Sequence, residues 1–192
     1  MNIMEFDIPV LICAFNRPAT TKEVFGVISK IKPKKLFIAV DGPRPNKIGE
    51  KDKCDEVKKV FEKIDWECDV KTFYREQNVG CAKAIPGAID WMFSYVEEGI
   101  ILEDDCVADE SFFHFCADVL VKYRNEDRIM MVGGTNFFPN VTFTNDSYFF
   151  SRYSFIWGWA TWKKAWEKYD IKMGSYPDFK KPEYIDIFNQ IR

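Results

Sequence analysis

The chain has 192 residues, of which 47% are hydrophobic and 30% charged, and its 27 basic and 30 acidic residues give a net charge of −3. This length suits one α/β domain with a substantial core. The negative charge argues against a nucleic-acid-binding protein, because such proteins usually present a basic face, but it is compatible with an anionic small ligand whose charge a bound cation balances.

The first seven residues contain two acidic side chains and lack the basic and apolar regions of a signal peptide. No segment approaches the roughly 18 apolar residues of a transmembrane helix. We therefore expect a cytoplasmic protein that could also associate with the inner face of the membrane. Without a signal peptide, the six cysteines are expected to be reduced thiols, and because none forms a C-x-x-C pair, a zinc site is not expected.

Segments typical of strands alternate with segments typical of helices over the first two thirds of the chain. Strands are predicted at residues 8–14, 35–40, 68–74, 99–102 and 129–132, and helices at 20–31, 50–64, 81–97 and 109–123. This alternation indicates βαβ units, and therefore an α/β fold with a Rossmann-like, mostly parallel sheet flanked by helices. From about residue 135 an irregular segment follows, with a short helix predicted at 160–168. No repeat or linker interrupts the sequence, so we expect a single domain over residues 1–192.

Polar side chains follow each of the first four predicted strands. Ligands of open parallel sheets bind at the carboxyl ends of the strands, so these side chains are expected to converge on one site. They are Asn16, Arg17, Asp41, Arg44, Arg75, Asn78, Glu103, Asp104 and Asp105.

The last of these clusters, Glu103-Asp104-Asp105, places three carboxylates directly after a short apolar strand. Their mutual repulsion would be relieved by a hard divalent cation, which prefers oxygen ligands and takes one or two carboxylates together with substrate phosphates. The alternative is a solvated acidic turn that caps the next helix. The convergence of polar side chains favours the metal site, with Mn²⁺ or Mg²⁺ as the expected cofactor.

Four short blocks occur in order along the chain. They read PVLICAFNRP at 9–18, DGPR at 41–44, EDD at 103–105 and WGWATW at 157–162. In these blocks the sequence resembles a bacterial group of GT-A-fold glycosyltransferases related to family 2, some of which carry a haemolysin-type label. It is distantly similar to the Golgi N-acetylglucosaminyltransferase that starts complex N-glycans. The resemblance covers residues 8 to about 170 and implies the nucleotide-diphospho-sugar transferase fold.

The resemblance also implies a role for each matching residue. Phe15, Asn16 and Arg17 would line the nucleotide base, and Asp41 would contact the base or the ribose. Arg44 and Arg75 would contact base or phosphates, and Asn78 would lie in a loop that either faces the diphosphate or only forms a turn. The remaining assignments concern the acidic block: Glu103 and Asp104 would lie near the ribose, and Asp105 would bind the metal on the diphosphate.

Four of the six tryptophans lie between residues 157 and 166. Trp162 and Trp166 are four residues apart, which predicts neighbouring core residues on one helix. Gly158 indicates a tight turn between Trp157 and Trp159. By resemblance this loop lies beside the acceptor, where aromatic faces suit sugar rings.

A catalytic base is harder to assign. An inverting transferase needs a carboxylate near the acceptor hydroxyl, and the related enzymes supply it downstream of the Gly-Trp block. Here the candidates are Asp170, Asp178 and Asp186, and none has a supporting motif. We interpret the chain as a part of a longer enzyme. The single histidine, His114, lies in a Phe-rich segment and is expected to be structural.

The sequence therefore predicts a metal-assisted glycosyltransferase of bacterial surface glycan (polysaccharide) synthesis. Its donor would be a nucleotide-diphosphate sugar, foremost a UDP-sugar, and its acceptor a glycan or a lipid-linked sugar. A non-catalytic or truncated sugar-nucleotide-binding domain is the first alternative, favoured by the missing base. A nucleotidyltransferase is the second, disfavoured because the loop after the first strand contains no glycine. Neither G-x-G-x-x-G nor the P-loop pattern occurs, which excludes the common dehydrogenases and P-loop kinases.

Overall fold

The computed structural model describes residues 5–137, 141 and 144–181. In this part of the chain a six-stranded mixed sheet is flanked by helices. The strands are β1 (Val10–Ala14), β2 (Lys35–Val40), β3 (Asp69–Tyr74), β4 (Glu98–Glu103), β5 (Val132–Gly133) and β6 (Trp159–Trp162). The helices are α1 (Pro18–Ile31), α2 (Glu50–Val60), α3 (Cys81–Phe93), α4 (Glu110–Tyr123), α5 (Lys163–Trp166) and α6 (Tyr176–Phe179), with a 3₁₀ turn at Phe61–Lys63.

The strand order is β3-β2-β1-β4-β6-β5. The first four strands are parallel, and β6 runs antiparallel to both β4 and β5. The chain moves outward from β1 to β3 and then returns to place β4 on the other side of β1. The topology therefore reverses between the paired strands β1 and β4. Ligands of this sheet type bind in the crevice outside the carboxyl ends of two such strands, which is called the β1/β4 gap below.

Two apolar layers bury the central strands. Because successive side chains point to opposite faces, Val10 and Ile12 enter one layer while Leu11 and Cys13 enter the other. The larger layer packs against α1, α2 and α4, and the smaller one against α3. The central strands are covered on both sides, which explains why their sequences are continuous apolar runs rather than alternating ones.

The predicted α/β architecture is confirmed, and the first four strands match their predicted positions within two residues. The helical predictions need small corrections at their ends. The helix predicted at 50–64 ends at Val60 before the 3₁₀ turn, and the helix predicted at 81–97 ends at Phe93, because Glu98 already begins β4.

The prediction of a helix over 160–168 is wrong in its first three residues and extends two residues beyond the observed helix. Trp159–Trp162 is strand β6, and only Lys163–Trp166 is helical. Trp162 and Trp166 are therefore not neighbours on one helix, although the interpretation of Trp162 as a core residue holds: it is buried, and its indole Nε1 donates to the Leu120 carbonyl at 3.2 Å. The strand predicted at 129–132 is also displaced, to Val132–Gly133.

Other features of the described residues bear on the sequence-based expectations. All six cysteines are free thiols. Within the described ranges, none of the helices has both the length and the apolar character required to cross a membrane. The sequence also predicts a helix that begins near Pro182, and this segment lies outside the described residues.

Candidate functional site

The carboxyl ends of the first three strands lie side by side. Ala14, Val40 and Tyr74 form one row across the sheet, and Glu103 of β4 pairs with Cys13 of β1. The polar residues that follow these strands therefore lie along one edge of the sheet. As predicted from the alternation of strands and helices, the structure brings these side chains together, through three sets of contacts.

The first set joins the loop after β1 to the acidic block after β4. The Arg17 guanidinium bridges Asp104 and Asp105, donating from Nη1 to the Asp105 carboxylate at 2.7 Å and from Nη2 to Asp104. Asp104 also accepts the Phe15 backbone N–H at 3.2 Å. The Asp104 side chain is 3% exposed, whereas that of Asp105 is 49% exposed. Asp104 therefore ties the two loops together, and Asp105 faces solvent at the β1/β4 gap.

The second set centres on Asp41, directly after β2. Its carboxylate accepts the Asn78 side-chain amide at 2.8 Å, the Val79 backbone N–H at 3.2 Å and the Gly42 backbone N–H at 3.0 Å. A Cβ at Gly42 would come within 2.4 Å of the Gln77 backbone, so only glycine allows this approach. Asp41 and Gly42 thus hold the loop that follows β3.

Arg75 lies at the edge of the same set. Its Nε is 3.9 Å from the Asp41 carboxylate, and its guanidinium stacks on the Phe73 ring with 4.3 Å between Cζ and the ring centroid. The resemblance implies that Asp41 contacts the base or the ribose, and Asn78 is expected in a loop that faces the diphosphate or only forms a turn. The contacts show that both side chains bond to each other and to the loop backbone.

The third set contains a residue that the sequence analysis did not identify. Glu50, at the first position of α2, accepts the Asn16 side-chain amide at 2.9 Å and pairs with Arg44, whose backbone N–H and guanidinium both donate to it. These bonds lower the pKa of Glu50 to about 2, the hydrogen bond from the Arg44 side chain being the largest cause. Acidic residues are common in the first turn of a helix, so the position of Glu50 in the sequence did not indicate a role in the site.

Carboxylates outnumber cations in this cluster. Burial raises the pKa of Glu103, and the neighbouring carboxylates of Asp105 and Asp104 raise it further, while Arg17 lowers it. Over the three sets together, five carboxylates face three guanidinium groups, which gives a formal charge of −2. They are Asp41, Glu50, Glu103, Asp104 and Asp105 against Arg17, Arg44 and Arg75.

The acidic block is not the cap of the next helix. Asp109 serves that purpose, because its side chain accepts the Ser111 backbone N–H at 2.9 Å. Among the described residues, no group of three or more His, Cys, Asp or Glu side chains is arranged to hold a metal ion. A cation at Asp105 would thus depend on oxygen atoms from a ligand, the mode in which Mg²⁺ binds to one or two carboxylates and substrate phosphates.

The tryptophan loop separates into an exposed and a buried part. Gly158 has a φ of +74°, which agrees with the predicted tight turn, and its carbonyl accepts the Gly134 N–H at 3.1 Å. Trp157 is 60% exposed and contacts Phe137 and Phe155. Trp159 is 9% exposed on β6. Of the two tryptophans predicted at the acceptor, only Trp157 presents much of its ring to solvent.

Among the described residues, no contact joins a candidate catalytic base to the three sets of contacts above. Asp170 accepts the backbone N–H groups of Lys172 and Gly174, which lowers its pKa, and Asp178 pairs with Lys181. Asp186 lies outside the described residues. His114 is exposed on α4, with its ring edge against Phe6.

Comparison with known proteins identifies the fold. No protein-family model matches the chain, and no curated protein sequence matches it. Among solved structures, the 4-diphosphocytidyl-2C-methyl-D-erythritol synthase of Anaerococcus prevotii DSM 20548 superposes with a TM-score of 0.52 at 14% identity, covering 96% of this chain and 82% of that one. The chain has the Rossmann-like fold of the nucleotide-diphospho-sugar transferases.

A second similar structure is a cytidylyltransferase from Leptospira borgpetersenii serovar Hardjo-bovis (strain JB197). It has a TM-score of 0.48 at 14% identity, and the match covers 85% of this chain. The chain spans 63% of the length of that protein. At these identities the likeness concerns the nucleotide-diphospho-sugar transferase fold alone, so the role of each side chain has to be argued from its own contacts.

Proposed function

We propose that this chain binds a nucleotide-diphosphate sugar at the β1/β4 gap together with a divalent cation, and takes part in transfer of the sugar to an acceptor hydroxyl. The observation that carries the proposal is the excess of carboxylates over guanidinium groups at the point where the topology reverses. A diphosphate would be repelled by a cluster with a formal charge of −2. A divalent cation would bring that formal charge to zero and place a positive ion next to the diphosphate.

Asp105 is the side chain best suited to hold the cation. It lies two residues after β4, is half exposed, and within the described part of the chain its one ion pair is with Arg17. Asp104 is buried and already bonded to Arg17 and to Phe15, so it would act by keeping Arg17 and the β1 loop in place. A Mn²⁺ or Mg²⁺ ion bound there would act as a Lewis acid on the diphosphate leaving group.

Arg17 links this site to the anionic ligand. Its guanidinium is about half exposed, and a planar guanidinium suits phosphate oxygens. If a cation binds Asp105 in place of Arg17, the Arg17 guanidinium keeps its ion pair with Asp104. Its remaining N–H groups can then donate to the diphosphate. The donor and the cation would then bind together rather than singly.

The acceptor side of the proposal rests on the loop at residues 157–159 and on the resemblance of the four sequence blocks. Trp157 offers an exposed aromatic face to a glycan or a lipid-linked sugar. A UDP-sugar is the first donor to test, and bacterial surface polysaccharide synthesis in the cytoplasm or at the inner membrane face is the setting that the resemblance implies. The catalytic base is not assigned.

A nucleotidyltransferase is the second candidate, because the solved structure with the TM-score of 0.52 is named as a synthase of 4-diphosphocytidyl-2C-methyl-D-erythritol, a product that contains a cytidylyl group. Such an enzyme would bind a nucleoside triphosphate. The loop after β1, Phe15-Asn16-Arg17-Pro18, has no glycine whose backbone could wrap a triphosphate, and this favours the glycosyltransferase.

A thermal-shift panel separates these candidates. Wild-type protein would be heated with UDP-, GDP-, CDP- and ADP-sugars and with CTP, each with and without Mn²⁺. A ligand that binds only the native state raises the apparent stability, by about 2.7 kcal/mol at a concentration 100 times Kd. We expect a shift with a nucleotide sugar only when Mn²⁺ is present. A shift with CTP alone would favour nucleotidyl transfer, and no shift with any ligand would contradict both proposals.

A further inference from the structure

A groove lies at the opposite end of the sheet from the β1/β4 gap. It has a volume of about 650 Å³ and lies between the second half of α3 and residues 163–172, which follow β6. Trp162 ends β6 and pairs with Glu98 at the start of β4, whereas Glu103 ends β4 beside the gap. These two ends of β4 are about 16 Å apart, at about 3.3 Å per residue. The groove is therefore separate from the proposed donor site, and its volume is typical of small-molecule sites, which enclose about 300–1,000 Å³.

Two parallel aromatic rings form one wall of this groove. Trp166 and Tyr169 stack with 4.5 Å between their ring centroids and an interplanar angle of 11°. The Trp166 indole Nε1 donates to the Asp90 carboxylate of α3 at 2.7 Å, which fixes the orientation of the stack. Tyr169 is 50% exposed, and because one face of its ring lies against Trp166, the other face is open. The groove thus presents a flat apolar surface in a fixed orientation.

Charged side chains surround the aromatic wall. Three carboxylates and two ammonium groups line the groove and give it a formal charge of −1: Asp90, Glu167, Asp170, Lys163 and Lys172. Asp90 uses one oxygen for the Trp166 indole, and its second oxygen has no hydrogen-bond donor among the described residues. A carboxylate has about four acceptor positions, so Asp90 can also accept hydroxyl groups of a ligand.

This combination of groups selects the chemistry of the ligand. The excess of carboxylates disfavours a phosphate-bearing ligand, and the charged rim disfavours a hydrocarbon chain, because covering charged groups without new partners costs free energy. A sugar ring has an apolar C–H face and hydroxyl groups at its edge. It therefore matches an open aromatic face that is bordered by hydrogen-bond acceptors.

We infer that the groove binds a neutral glycan, with one sugar ring on the open face of Tyr169 and its hydroxyl groups on Asp90. The site differs from the proposed acceptor loop, since Trp157 precedes β6 and the groove follows it. In a glycosyltransferase it would hold the acceptor or product glycan away from the end that is extended. That role, but not glycan binding itself, rests on the proposed function.

Two substitutions remove the expected contacts without entering the core. Tyr169→Ala removes the open aromatic face, and Asp90→Asn keeps an oxygen for the Trp166 indole but loses the second carboxylate oxygen. Tyr176→Ala is the control for the first, because Tyr176 is 52% exposed and lies outside the groove. Asp127→Asn is the control for the second, because Asp127 is an exposed acid outside the groove.

The test is binding of labelled protein to an array of neutral and acidic bacterial oligosaccharides, followed by calorimetry with the neutral one that binds best. We expect wild type and both controls to bind it equally, and Tyr169→Ala and Asp90→Asn to bind it at least about tenfold more weakly. No binding by wild type, binding of acidic oligosaccharides only, or wild-type affinity in Tyr169→Ala would overturn the inference. So would a loss that occurs in Trp157→Ala instead. Sedimentation that shows a dimer for wild type and a monomer for Tyr169→Ala would assign the groove to an interface between two copies.

Donor binding by the same proteins separates this inference from the proposed function. We expect Tyr169→Ala and Asp90→Asn to keep the Mn²⁺-dependent thermal shift with a nucleotide sugar, because the groove is remote from the β1/β4 gap. A donor shift without glycan binding would overturn the glycan site and leave the proposed function standing. Glycan binding that depends on Tyr169, without any donor shift, would support the glycan site and contradict the proposed function.

Discussion

Replacing Asp104 by alanine is expected to lower the free energy of unfolding by about 2–3 kcal/mol. Breaking a fully buried ion pair typically costs about 3–5 kcal/mol, because the remaining charge loses its partner. Here Arg17 is half exposed and keeps Asp105, which reduces the cost, but the Phe15 backbone N–H also loses its acceptor. Urea denaturation followed by circular dichroism measures the change.

Asp127→Ala is the control for this substitution. Asp127 also forms an ion pair, with Lys164, but its side chain is largely exposed. Exposed ion pairs contribute about 0–1 kcal/mol, so the control should stay close to wild type. If Asp104→Ala were no more destabilising than Asp127→Ala, Asp104 would not tie the end of β4 to the loop after β1.

Replacing Trp162 by alanine is expected to have the largest effect on stability, about 3–5 kcal/mol. Trp162 is the largest fully buried side chain among the described residues. It belongs to the larger apolar layer, and its indole N–H donates to the Leu120 carbonyl. Truncation would leave a cavity between β6 and α4 and remove the hydrogen bond from the indole to the Leu120 carbonyl.

Trp157→Ala serves as the comparison, because it removes the same side chain from an exposed position in the same segment. A surface substitution of this kind usually changes stability by no more than about 0.5 kcal/mol. Equal midpoints for the two variants in urea would show that β6 does not pack as the structure places it.

Strands β1, β2 and β4 could be predicted because each is a continuous apolar run ended by polar residues, and β3 because its residues alternate in polarity. The segment at 159–166 could not, because its tryptophans have helical spacing while its true environment is set by distant residues. Trp159 pairs with Ile101, and Ala160 lies between Ile100 and Val132. Pairing with β4 and β5 overrides the local pattern, as tertiary contacts often do.

In the candidate site, too, some features could be predicted from the sequence, while others depend on contacts between distant residues. The convergence of polar residues followed from the alternation of strands and helices alone, since this pattern predicts parallel strands, whose following loops lie at one edge of the sheet. The sequence could not show which side chains bond to one another. Glu50 was overlooked because its partners, Asn16 and Arg44, lie in loops outside its own helix. The hydrogen bond from Asn78 to Asp41 is likewise a contact between residues far apart in the sequence.

The most direct test of the proposed cation site is the affinity of Asp105→Asn for a nucleotide sugar, measured by calorimetry with and without Mn²⁺. Asp105 is half exposed, so the variant should fold, and Asp127→Asn controls for the loss of one surface charge. We expect wild type and Asp127→Asn to bind the donor only with Mn²⁺, and Asp105→Asn to bind it at least about tenfold more weakly, with no gain from the ion. Donor affinity and Mn²⁺ dependence identical to wild type in Asp105→Asn would contradict the proposal.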